Sequence, residues 1–190
     1  ICFLEGDLFK IHKNNGEVCI IDASTKYVYE YPLFDDIDLD RENVFIARQT
    51  GSSFYVDKTG SRLSDKTYES IYSLEDGFSA VKLNGLWGFI DESFNQVIDC
   101  NFAQVHLFYE NYAAVMNEDN KWGFIDIDGK AAIDFQYDEA MNFHEGLAAV
   151  KQGDKWTFIN KKGVAVTKTF YNDVRDFHEG LAAVKKKDKW

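Results

Sequence analysis

His144 and His178 stand thirty-four residues apart, each directly before a Glu-Gly pair. Two imidazoles could ligate a transition metal, but a metal site needs ligands that converge from different parts of a fold. Residues that recur at a fixed period lie about one sheet spacing apart, about 10 Å or less, so the pair reads as a repeat position. His12 and His106 stand alone, without the serine or cysteine phrase that marks a nucleophile. The Asp-Ile-Asp-Gly stretch at residues 126–129 opens like a calcium loop, yet the further oxygen ligands and closing glutamate are missing. It reads as a hairpin turn. The acidic run Asp35, Asp36, Asp38, Asp40 and Glu42 is expected to be a solvated loop, with a weak divalent-cation site as the alternative. No acidic pair stands out as an acid and a base whose environments push their pKa values apart. No catalytic residue, metal ligand or cofactor is therefore expected.

Two aromatic sets remain. Tyr27, Tyr29 and Tyr31 alternate along one segment, so in a strand they share a face. Such a row could stack on sugar rings or hold a peptide; the competing reading is a cover over an atypical or terminal repeat. Trp87, Trp122, Trp156 and Trp190 are all four tryptophans of the chain, spaced 35, 34 and 34 residues apart. They could form a carbohydrate platform, but their recurrence in one phrase favours packing between repeats. With them go Phe89, Phe124 and Phe158, two residues further on.

The period organises the chain. The tryptophan phrase ends at Asp22, Asp57, Asp91, Asp126 and Asn160, giving about five copies in a single repeat domain over residues 1–190 and a truncated sixth. Val18 and Ser53 replace the tryptophan in the first two copies. Eleven residues after each phrase stands a large apolar residue (Leu33, Tyr68, Phe102, Tyr137, Tyr171) and seventeen after it another (Leu39, Leu74, Phe108, Phe143, Phe177). An acidic turn and an apolar run such as Glu-Gly-Leu-Ala-Ala-Val follow. Glycine-bearing links between short apolar runs read as β-hairpins. Each copy thus predicts three antiparallel strands and a fourth short one between the two apolar markers. The central strands are apolar on both faces, as in sheets covered on both sides. The Ala113-Ala114, Ala148-Ala149 and Ala182-Ala183 pairs, with Gly88 and Gly123, suggest close approach of neighbouring sheets. The expected fold is all-β: antiparallel meander repeats of ~34 residues stacked face to face as propeller-like blades, with an open superhelix as the alternative. Duplicate strands at the two ends favour a cut array or open stack over a ring closed by interlocking termini.

Composition narrows the partners. The formal charge of −11 excludes a general nucleic-acid or anionic-membrane binder, which needs a basic face. No apolar run is long enough to span a membrane. Cys2, Cys19 and Cys100 cannot make a full disulfide framework, and Cys19 and Cys100 read as buried free thiols. The chain starts without methionine and stops inside a repeat, so it reads as a fragment or a processed chain.

The phrases at residues 143–163, 108–130 and 78–91 resemble the bacterial WG repeat, also called the KWG repeat, whose pattern is close to F-x-E-G-L-A-A-V-x-x-x-G-K-W-G-F-I-D-x-x-G-K. The likeness fades over residues 1–70, and Thr157 and Asn160 depart from it. The resemblance implies bacterial proteins, often secreted or surface-attached, that serve as binding or scaffolding modules without catalytic residues. The functional expectation is a non-catalytic scaffold that binds a protein or a glycan. A structural spacer comes second, and a glycan-active enzyme third.

Overall fold

The computed structural model describes residues 2–4, 7–177, 179–187 and 189–190, with side chains from residue 4 onward. All regular elements among them are β-strands. The first sheet runs β1 (Cys2–Phe3), β2 (Leu8–His12), β3 (Val18–Asp22) and β4 (Tyr27–Tyr31). The second holds β5 (Asp36–Arg41), β6 (Val44–Gln49) and β7 (Ser52–Val56). The third holds β8 (Ser70–Ile71), β9 (Phe78–Leu83), β10 (Leu86–Asp91) and β11 (Gln96–Phe102). The fourth repeats this with β12 (Gln104–Val105), β13 (Tyr112–Met116), β14 (Trp122–Asp126) and β15 (Ala131–Tyr137). The fifth has β16 (Glu139–Ala140), β17 (Leu147–Gln152) and β18 (Lys155–Asn160), and the sixth β19 (Asp173–Val174) and β20 (Val184–Lys185). Sequential strands are neighbours in every sheet, and the strand pairs among the described residues are antiparallel. The chain divides into two compact units, residues 1–74 with 81–84, and residues 75–80 with 85–190.

Turn chemistry explains the short links. In the fourth copy Glu110 and Asn111 both have positive φ, and Tyr109 and Tyr112 exchange both backbone hydrogen bonds across them (2.9 and 3.0 Å). That is the two-residue hairpin whose twist matches the flanking strands. Asn84-Gly85 repeats the same positive pair between β9 and β10. The Asp or Asn that ends each phrase caps the next turn. Asp126 Oδ1 accepts the amides of Asp128 (3.0 Å) and Lys130 (2.9 Å), and Asp91 and Asn160 take the equivalent amides in their own copies. The calcium-like stretch is therefore a turn in which backbone N–H groups engage the carboxylate.

In the second unit the sheets stack through alternating faces. Trp122 and Phe124 of β14, opposite Met116 and Ala114 of β13, face Ala148, Val150 and Ile159 of the fifth sheet. Ala113, Val115 and Ile125 face the other way, onto Trp87, Phe89 and Phe102. Both faces are buried, as the apolar runs predicted. Trp87, Trp122 and Trp156 are 9%, 7% and 5% exposed, and Phe89, Phe124 and Phe158 at most 2%. Phe108 and Phe143, just beyond the short strands, are fully buried. At full burial each such ring contributes roughly 2–3 kcal/mol of transfer free energy.

Several expectations are corrected. The third strand is long only in the third and fourth copies, the second and fifth keeping isolated bridges in its place: β15 runs to Tyr137 and carries a bulge, pairing Trp122 with Tyr137 but Phe124 with Ile133. That bulge gives the reason for the glycine after the tryptophan. A Cβ on Gly123 would lie 2.8 Å from the Ile133 carbonyl oxygen, and one on Gly88 2.5 Å from that of Ile98. The close neighbour is the backbone of the same sheet, not the next sheet. Trp190 is 59% exposed, so it does not share the burial of the other three tryptophans. Leu33 is 73% exposed; the first copy has no bulge, so Tyr31 pairs directly with Val18 and takes the buried aromatic's place. Asp36, Asp38 and Asp40 of the acidic run lie in strand β5 rather than in a solvated loop, with Asp35 and Glu42 in the bend and turn that flank it. Cys19 is a buried thiol as expected, whereas Cys100 is only partly buried.

Candidate functional site

The first unit holds a cleft of about 440 Å³ between the first and second sheets. Its floor is apolar: Ile20 of β3 and Phe45 of β6 are 1% exposed, with Leu8 of β2 and Leu39 of β5 beside them. Tyr29 of β4 forms a wall. The rim is polar, made by Asp7, Asp22, Ser24, Glu42, Asn43 and Lys58. An apolar floor with a few convergent polar groups is the usual make-up of a small-ligand pocket.

Local sequence positions each group. Asp22 ends β3, and its Oδ1 accepts the Ser24 hydroxyl (2.6 Å) and the Ser24 and Thr25 amides (3.1 Å each). Those bonds, the Ser24 hydroxyl foremost, hold its carboxyl below the usual range, so it is anionic at neutral pH. Glu42 and Asn43 form the two-residue link between β5 and β6, with Arg41 paired to Val44 and Asn43 at positive φ. Lys58 sits in the turn after β7. Its ammonium lies 5.9 Å from the Tyr29 ring centre, and its carbonyl accepts the Tyr31 hydroxyl at 2.6 Å. Burial pushes the Tyr31 phenol well up, so it stays protonated and donates.

The three tyrosines therefore do not form an evenly exposed row. Tyr27 is 57% exposed, Tyr29 partly buried and Tyr31 4% exposed. Tyr27 and Tyr29 are in tilted contact, 4.6 Å between ring centres. They also border a second, shallower cleft of about 310 Å³ with Val28, Glu30 and Thr59. Tyr31 stacks on Phe34 and anchors the turn that carries Lys58.

The remaining candidates are placed as follows. Asp36 and Asp38 form ion pairs with Lys10 and Arg48 across β2, β5 and β6, and Lys10 is only 8% exposed. Burial raises the Asp38 carboxyl, but Lys10 and Arg48 outweigh it and hold it low. Asp40 is bonded to Arg41 and accepts the Leu74 amide at 2.8 Å, yet burial keeps its carboxyl above the usual range. His12 lies 3.5 Å from Asp36. His106 packs at a tilt against Trp122, 4.8 Å between ring centres, and burial lowers its pKa despite the Asp176 charge. His144 packs on Tyr109; His178 lies outside the described residues. No three His, Cys, Asp or Glu side chains converge to hold a metal ion among the described residues.

Two features escaped the sequence reading. Lys58 looked like one residue of an ordinary turn, and nothing in the spacing tied it to Tyr29. A ladder of turn glutamates links copies in the second unit: Glu110 accepts the Gly146 amide at 3.0 Å, and Glu145 accepts the Gly180 amide at 2.8 Å. Lys161 adds an ion pair to Glu110 at 3.0 Å. The recurring Glu-Gly pair was its visible signal.

Structure comparison returns folds of the same kind at low identity. The chain is similar to the computationally designed Ika8 protein (TM-score 0.56, 12% identity, 98% of this chain and 67% of that one). It is also similar to Hsv2p of Kluyveromyces lactis (0.55, 13%, 94% and 67%) and to BamB of Moraxella catarrhalis (0.51, 10%, 98% and 69%). The chain thus spans about two thirds of the length of each, and the likeness concerns the fold alone. No curated protein matches the sequence. No helix among the described residues is long and apolar enough to cross a membrane. The WG containing repeat family matches four times in succession, at residues 54–87, 87–122, 122–156 and 156–190. Those matches cover more than half of the chain, and the protein belongs to the WG-repeat family.

Proposed function

We propose that this protein is a non-catalytic binding scaffold that takes a glycan in the cleft of its first unit. The observation that carries the reading is the cleft itself, with Tyr29 as an aromatic wall over an apolar floor and a rim of hydroxyl, amide, carboxylate and ammonium groups. A sugar ring has an apolar face for the aromatic side chain and hydroxyls for the rim. The absence of catalysis is part of the proposal. Its support is that Asp36 and Asp38 are held by cations and the phrase-ending acids by turn amides. A glycan array probed with the native protein and with Tyr29→Ala tests the reading. Binding by the native protein that disappears in a folded Tyr29→Ala variant is the expected result, and a blank array for the native protein sinks it.

The second reading is a spacer with no ligand. The turn ladder favours it, since Glu110 and Glu145 spend their carboxylates on joining copies. A protein that binds nothing in pull-down and on arrays, yet resists stretching, fits that reading better.

A further inference from the structure

We propose that the first-unit cleft selects glycans bearing free amino groups, with the Lys58 ammonium acting as a built-in competitor for the same place. The proposal rests on the glycan reading above and names the chemistry of its ligand.

Three carboxylates, Asp7, Asp22 and Glu42, border the cleft against a single cation, Lys58. Asp22 is 9% exposed and stays ionised well into mild acid, because the turn after β3 donates hydrogen bonds to it. The chain as a whole is acidic, so the field around the opening attracts cations. The one cation present has settled over an aromatic face: the Lys58 ammonium stands within cation–π range of Tyr29, 5.9 Å from its centre. Tyr31 holds the turn that delivers it, through the hydroxyl bond to the Lys58 carbonyl. A protonated amino sugar would bring the same ammonium to the same ring, and its pyranose face would cover the floor of Ile20 and Phe45. An N-acetylated sugar has the same shape without the charge.

The closing experiment uses calorimetric titration with a short glucosamine oligosaccharide and its fully N-acetylated counterpart, at mildly acidic pH where the amines are charged. The native protein is compared with Lys58→Gln, Glu42→Gln and Tyr29→Ala. The amine form should bind roughly tenfold tighter than the acetylated form, the size of one favourable cation–π contact plus a screened charge. Lys58→Gln should tighten the amine form by about 5-fold by removing the competitor, and Glu42→Gln should weaken it by a similar factor. Equal binding of the two forms, with loss in Tyr29→Ala, overturns the amine preference and leaves the glycan reading intact. Binding of neither form by the native protein, together with a blank glycan array, removes both. Weaker binding in Lys58→Gln refutes the competitor role. Amine binding that survives Tyr29→Ala and Glu42→Gln together is surface attraction to an acidic protein and also overturns the proposal.

Discussion

In the fourth copy the central phrase reads Trp122-Gly123-Phe124; in the second it reads Ser53-Phe54-Tyr55. The register at this position is the same, since Ser53 pairs with Tyr68 across fifteen residues just as Trp122 pairs with Tyr137. The bulk has moved by one residue, and in a strand one residue is the opposite face. Trp122 fills the interface with the following copy. Phe54 instead fills the interface with the preceding one, among Val18, Ile20, Tyr31 and Phe45. There it compensates for the small Val18 at the first copy's tryptophan position. What the repeat conserves is volume at each interface, not a given side chain at a given position. The irregular copies also leave the cleft, walled by Tyr29, where the regular copies place Ile98 and Ile133 opposite their phenylalanines.

The comparison can be broken most forcefully at the interfaces. Trp122→Ala should cost about 3–5 kcal/mol, whereas Leu33→Ala, at an exposed residue, should stay within about 0.5 kcal/mol in urea unfolding. A similar loss from both would show that exposure does not separate them. Phe54→Ala should cost about 3–4 kcal/mol, and Ser53→Trp in that background should not restore it, because the indole points to the other face. Full rescue would show the faces to be interchangeable.

Next comes the glycine. Gly123→Ala should destabilise by about 2–3 kcal/mol, since its Cβ meets a backbone carbonyl that cannot step aside. Thr157, its equivalent in the fifth copy, already carries a side chain; its hydroxyl lies 3.1 Å from that of Thr167. Thr157→Gly removes that contact from a buried strand position and should cost about 1–2 kcal/mol, and no loss would show that the hydroxyl contact contributes nothing.

The turn ladder sets a smaller, pH-dependent contrast. Burial raises the Glu110 carboxyl, but Lys161 and the Gly146 amide outweigh it, so its folded pKa lies below the usual 4.5. A depressed carboxylate contributes stability above its unfolded pKa and loses it as pH falls through the folded value. Glu110→Gln should cost about 1 kcal/mol or less at neutral pH, after screening of a partly exposed pair, and should flatten the melting-temperature decline below pH 4.5. His106 runs the other way in charge but not in sign. Its folded pKa is below 6.5, so the unfolded chain binds the proton first and stability falls as pH drops below 6.5. His106→Leu should remove that part of the slope; an unchanged slope would place the proton uptake elsewhere.

Much of the architecture was legible in the residues themselves. Short strands, two-residue turns and capping acids are local matters, decided by φ preferences and hydrogen bonds within a few residues of Asp126 or Glu110. Burial of both faces was legible too, because apolar residues occupy successive positions of Ala113–Ala114–Val115 and Phe124–Ile125. The Tyr27, Tyr29 and Tyr31 spacing correctly marked one strand, but its gradient from exposed to buried depends on what the turn at Lys58 and the ring of Phe34 bring against it. The acidic run was misread for the same reason. Backbone pairing with β6 makes the segment a strand, and its cations, Lys10 and Arg48, come from other strands to neutralise Asp36 and Asp38.

The repeat, its strands, its turns and the family can all be read along the chain, since each is a relation among residues close in sequence or one period apart. The reason Gly123 is glycine, the place taken by the displaced bulk of Phe54 and the position of Lys58 over Tyr29 emerge only when the strands are folded together. Those depend on distances between strands that share no period, and a spacing pattern carries no record of them.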